Sequence, residues 1–180
     1  RDVAAVFAEL KTWVTSYAPD LLVVIGPDHF NGFFYQLMPS FCVGAFARGV
    51  GDWKTRRGPL PTDPDLAQSC VAALLRSGSD PALSFDMLVD HGCTQIIEQL
   101  FDWQSCPQVL PIFINCAAPP LPPLCRVDAF GTALGTFLDG LDRKVLVIGS
   151  GGLSHDPPIP VLGAAPAAVP AAADNVSAAV

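Results

Sequence analysis

The sequence predicts an α/β domain with a largely parallel central sheet flanked by helices. Three observations carry that expectation. Short continuous apolar runs at residues 21–25 and 109–114 read as strands buried on both faces, and residues 145–148 as a further strand. Segments with helical apolar spacing alternate with them, the pattern of a parallel α/β sheet. Prolines, 18 of 180 residues, cluster in residues 58–64, 117–123 and 156–170, where they punctuate the loops.

The elements follow in order. Residues 2–17 form a predicted amphipathic helix with Val3, Val6, Phe7, Leu10, Trp13 and Val14 on one face. The strand at 21–25 comes next. Residues 33–47 are rich in aromatics, broken by Pro39 and Gly44, and read as extended. Residues 63–77 read as a helix capped by Asp63, with Pro64 tolerated in the first turn and Gly78 as the stop. Residues 82–89 read as one strand, 94–103 as a helix, 109–114 as a strand, 126–138 as a helix and 145–148 as a strand. A single domain is expected to span residues 1–162. Residues 163–180 are expected to form a weakly ordered tail, because the Ala-rich stretch is broken by Pro166 and Pro170 and offers few large side chains to bury.

A length of 180 residues fits one domain. Charged residues make up 15% of the chain against about 25% in an ordinary soluble domain, which excludes a disordered polyelectrolyte. The net charge of −7 disfavours nucleic acid as a partner. No apolar stretch reaches membrane-spanning length, and no basic and apolar leader opens the chain, so neither a membrane nor an export route is expected. The six cysteines, Cys42, Cys70, Cys93, Cys106, Cys116 and Cys125, form no C-x-x-C pair. They read as reduced thiols of a cytoplasmic protein that serve as small hydrophobes.

The chemistry concentrates in three histidines. His29, His91 and His155 are the only ones, and each follows a strand-like run. In open α/β sheets ligands bind beyond the carboxyl ends of the strands, so residues 62 and 64 apart in sequence can converge there. Asp28 and Asp90 each precede a histidine. Each is read either as a partner fixing an imidazole tautomer or as a turn or helix cap. Three such histidines suit a non-haem iron centre with acid–base histidines beside it, or a zinc hydrolase site. Gly149-Ser150-Gly151 is not a nucleophile elbow, and Gly149-Ser150-Gly151-Gly152 lacks the Lys of a P-loop.

At these residues the chain resembles the type III extradiol ring-cleaving dioxygenases. The likeness is carried by Pro27-Asp28-His29-Phe30-Asn31-Gly32 after its strand, by residues 87–92, by residues 109–115, and by Gly149-Ser150-Gly151-Gly152-Leu153-Ser154-His155. It runs from about residue 3 to residue 162. The resemblance implies an α/β sandwich, iron(II) as cofactor, and a small aromatic catechol and O2 as substrates. It also implies a homo-oligomer. By resemblance His29 matches an iron ligand, His91 the proton donor and His155 the proton acceptor.

Phe33, Phe34 and Tyr35 are candidate walls of an aromatic pocket, with core packing expected for at least two. Arg48, Arg56 and Arg57 are candidate partners for a substrate carboxylate, with surface solvation the expected role of each.

The family also has a His-rich first turn and a C-terminal region that supply further iron ligands. Neither pattern is found between Arg1 and Val180. The sequence therefore reads as the central part of a longer enzyme, its sheet incomplete at both ends, carrying one of three expected ligands. A metal-poor fragment, a non-catalytic catechol-binding module and a zinc-dependent hydrolase stand as alternatives.

Overall fold

The computed structural model describes residues 2–152. His155 and residues 163–180, with the boundary expected at 162, lie outside the described residues. The first helix, α1 (Val3–Tyr17), is capped by Asp2, whose carboxylate accepts from the Ala4 N–H at 3.1 Å. It ends where Ala18 turns left-handed.

The strand β1 (Leu21–Gly26) lies second from one edge of a five-stranded sheet, with Leu21–Val24 fully buried. The other strands are β2 (Phe41–Gly44), β5 (Ala82–Ser84), β7 (Gln108–Ile114) and β8 (Val145–Gly149), in the order β5-β2-β7-β1-β8. Three neighbouring pairs run parallel and only β2 with β7 runs antiparallel. The expected largely parallel α/β sheet is therefore present. A second sheet, β4-β3-β6, is built from β3 (Ala47–Val50), β4 (Arg57–Pro59) and β6 (Met87–Val89).

Alternation along β1 and β7 divides the core. Leu21, Val23, Leu110 and Ile112 face α2 (Pro64–Arg76) and α4 (Leu124–Asp139), where Phe130 stacks on Phe41 at 4.6 Å. Leu22, Val24, Val109 and Phe113 face the other way, onto Met87, Val89 and the helix α3 (His91–Leu100) with its Cys93 and Ile97. The large sheet thus lies between a pair of helices and a mixed layer of small sheet and helix.

Three expectations change in detail. The run 82–89 is two strands in two sheets. Residues 41–50 and 82–89 travel side by side, pair as β2 with β5, bend together, and pair again as β3 with β6. The Ala45 N–H donates to Ser84 and the Met87 N–H to Phe46 across that bend. The third helix starts at His91 rather than at residue 94, because the Asp90 side chain caps it through the Gly92 N–H. Finally, of the apolar face expected on α1, only Val14 is buried, while Val3, Leu10 and Trp13 are exposed. The helix packs chiefly on α3 and reaches the sheet edge through the Tyr17 hydroxyl, which donates to the Val145 carbonyl of β8, so these contacts cover only part of its stripe. Among the described residues no strand pairs with the outer edge of β8. No helix among them is long and apolar enough to cross a membrane.

Candidate active site

The carboxyl ends of β1 and β6 lead into His29 and His91. Their rings stack with centroids 4.5 Å apart and planes inclined by 19°. Residues 62 apart in sequence are thus brought together, as strand-end placement anticipated.

Each imidazole is held by a carboxylate through Nδ1. His29 is held by Asp90, with Nδ1 2.9 Å from Oδ2 and its backbone N–H donating to the same oxygen at 2.7 Å. His91 is held by Asp52, with Nδ1 2.6 Å from Oδ2 and its backbone N–H donating to Oδ1 at 2.8 Å. The carboxylate preceding His91 therefore serves the other histidine. Asp90 fulfils both roles the sequence left open, as tautomer partner and as helix cap. Asp28 takes the turn role: its carboxylate accepts from the backbone N–H groups of Asn31, Gly32 and Phe33.

Asp52, Trp53 and Asn31 were missed by sequence reasoning. Asp52 begins a short 3-10 turn, Asp52–Lys54, far from any histidine in sequence. Trp53 leans on His91 with ring centroids 5.5 Å apart. Asn31 donates from Nδ2 to the Asp90 carboxylate at 3.2 Å. Only the Gly51-Asp52-Trp53 turn chemistry offered a local signal, and nothing in it pointed to His91. Gly92 permits the close packing, since a Cβ there would sit 3.0 Å from Asp90 Oδ1 and 3.5 Å from His29.

The potential ligand atoms of His29, Asp90 and His91 lie within 4.8 Å of one another. Two geometric facts sort them as metal donors. Asp90 is 1% exposed, and its oxygens already accept from His29 twice, from Asn31 and from Gly92. A carboxylate has about four lone-pair sites, so Asp90 is committed to orienting rather than ligating. The imidazole lone pair lies in the ring plane. Two planes inclined by 19° at this separation do not meet within the ~2 Å reach of an imidazole–metal bond. As placed, the two ring planes do not converge on one point, and His29, Asp90 and His91 stand together as one cluster of candidate metal and proton-transfer groups.

Hydrogen bonding to Asp90 raises His29 above its ordinary value of 6.5, outweighing burial, which acts the other way. Burial pushes Asp90 up, but the bonds and charge of His29 outweigh it and hold Asp90 below 3.8. Burial pushes Asp28 up to about 6, opposed by its backbone N–H donors and reinforced by the charge of Asp90.

The signs fix a pH prediction. The His29 contribution to stability is complete below pH 6.5 and is lost as pH rises through its higher folded value. The Asp28 contribution is complete below 3.8 and is lost through about 6. The Asp90 contribution is lost only on acidification through a value below 3.8. The metal-free protein is therefore expected to lose stability as pH rises from 3.8 through about 6, where Asp28 ionises, and again above 6.5 as His29 loses its proton, read as a falling thermal midpoint whose upper limb flattens in His29→Gln. Metal affinity should run the opposite way and rise over the same range, because the metal must displace a proton from imidazole.

Other sequence candidates lie elsewhere or are engaged. Phe33 stacks on Phe113 at 4.4 Å and joins the core, Tyr35 leans on Phe30, and Phe34 is exposed. Of the three aromatics only Phe33 takes the expected core role. Arg48 forms a bidentate pair with Asp86, Arg56 lies over Trp103, and Arg57 is exposed on β4. The cysteines are all free, and burial pushes Cys42, Cys70, Cys93 and Cys106 up to about 12, where they are inert apolar packing. Ser150, at the end of β8, donates its N–H to Ile25 and lies beside Gly26. The chain that continues toward His155 thus leaves from beside the site.

Comparison with known proteins bears on this site. The family model described as the catalytic LigB subunit of aromatic ring-opening dioxygenase matches residues 1–175. A 2,3-dihydroxyphenylpropionate/2,3-dihydroxicinnamic acid 1,2-dioxygenase of Mycolicibacterium smegmatis is 52% identical over 169 residues, covering 94% of this chain and 53% of the relative. Proteins of the same name from Mycobacterium sp. and Photorhabdus laumondii are 51% and 49% identical, covering 97% and 92% of this chain and 55% and 52% of the relatives. The chain spans about half the length of these curated relatives.

Proposed function

Because this chain belongs to the family of LigB catalytic subunits of aromatic ring-opening dioxygenases, we propose that it serves extradiol cleavage of a catechol such as 2,3-dihydroxyphenylpropionate, with iron(II) and O2. The observation that carries the proposal is the stacked pair of histidines, each held at Nδ1 by its own carboxylate. Such a pair separates one imidazole for a metal from one for a proton.

In this reading His29 is the iron ligand, oriented by Asp90 in a carboxylate–histidine–metal arrangement. When bound, iron(II) supplies the redox chemistry that lets O2 react with a catechol. His155 takes a proton from a catechol hydroxyl as the acceptor, a task suited to a group that titrates near neutrality. His91 returns a proton as the donor during C–C cleavage, from the ring nitrogen that Asp52 does not hold. Both oxygen atoms of O2 end in the ring-opened product. The exit of the chain beside Gly26, five residues before His155, supports a role for His155 here.

The test is anaerobic loading of the chain with iron(II), addition of 2,3-dihydroxyphenylpropionate, then O2. A yellow ring-opened product is expected, and His155→Ala should lose turnover while keeping iron. Iron bound without product overturns activity for this chain. Iron lost in His155→Ala reassigns that residue as a ligand.

A further inference from the structure

We infer that Asp52 is a positioning residue that fixes the tautomer and ring orientation of His91. The inference rests on the dioxygenase reading for the purpose of that tautomer, and on geometry for the tautomer itself.

Asp52 grips His91 at two points, the ring Nδ1 at 2.6 Å and the backbone N–H at 2.8 Å. A carboxylate only accepts, so Nδ1 must carry the proton. Nε2 is then the working atom in both protonation states: a lone pair when the ring is neutral, a donor when it is charged. The ring cannot swing away, because His29 stacks at 4.5 Å and Trp53 leans in at 5.5 Å. The Asp52 side chain is 9% exposed, so water competes little for its oxygens.

The backbone around Asp52 is built for this hold. Gly51 has φ 80°, Trp53 φ 49° and Lys54 φ 63°. Two consecutive left-handed non-glycine residues are costly and persist where surrounding contacts over-determine them. Here they aim Asp52 and Trp53 at one imidazole. The arrangement repeats what Asp90 does for His29, with a carboxylate from a separate loop, so each histidine has its own orienting acid.

Histidine tautomers are read by long-range proton–nitrogen NMR on the 15N-labelled chain at alkaline pH, with His91 assigned by its loss in His91→Gln. His91 should be the Nδ1–H tautomer in the unmutated chain, and an Nε2–H tautomer there overturns the inference. In Asp52→Ala, His91 should shift toward Nε2–H while His29, held by Asp90, keeps its Nδ1–H signal. His91 unchanged in that variant overturns the inference. If Asp52→Ala does not fold, which the His29 signal reports, the tautomer of the unmutated chain decides.

In the iron-loaded chain Asp52→Ala should lower kcat by about 10–100-fold with KM unchanged. Cleavage at the unmutated kcat overturns the positioning role and leaves the dioxygenase reading intact. Absence of cleavage in the unmutated chain overturns that reading, and the tautomer then decides the Asp52 assignment by itself.

Discussion

Asp90→Ala is expected to destabilise the chain by about 3–5 kcal/mol, the cost of removing one partner of a buried ion pair. Asp90 is 1% exposed and its two oxygens hold the His29 ring, the His29 backbone, Asn31 and the first turn of α3. Truncation strands all four donors at once. Asp90→Asn is the informative control. Its carbonyl can replace Oδ2 and keep three of the bonds, but its amide then faces the Gly92 N–H, donor against donor. The expected loss for Asn is about 1–3 kcal/mol. Urea midpoints with unchanged slopes give both values. An Ala variant within about 1 kcal/mol of the parent, or an Asn variant worse than Ala, would contradict this account of the site.

The second large effect separates metal from proton. His29→Ala is expected to abolish iron(II) binding in anaerobic equilibrium dialysis, and turnover with it. His91→Ala is expected to keep iron and to lower kcat by about 10²–10⁴-fold, the usual contribution of a positioned acid or base. The contrast follows from the near-parallel rings, whose planes do not converge on one ion. Loss of iron from His91→Ala would show that the rings rearrange on metal binding and would make both histidines ligands. Mixed effects in a double variant are not additive where the residues touch, so the single variants carry the test.

Much of the site was legible before any coordinates. His29 and His91 were marked by their place after strand-like runs, and strand ends meet on one side of an open sheet. The cap of α2 was legible for a local reason: Asp63 satisfies an N–H group only three residues away. The two orienting acids were not legible in full. Asp90 lies beside His91 in sequence, yet it serves His29, 61 residues earlier. Asp52 was not noticed, because nothing in a run of Gly51-Asp52-Trp53 distinguishes an acid that meets an imidazole 39 residues later from one that meets water.

The sequence by itself determined the fold class, the buried strands β1 and β7 and the Asp63 cap of α2, because apolar period and capping are short-range properties of the chain. It also determined the family, through the motifs around His29, His91 and residues 149–155. The tertiary structure decided which carboxylate holds which histidine, that 82–89 divides between two sheets, and that half of the α1 stripe, Val3, Leu10 and Trp13, stays exposed. Each of these depends on which surface arrives from elsewhere in the chain. The apolar stripe on α1 sets what can be buried, and only the packing on α3 sets how much is.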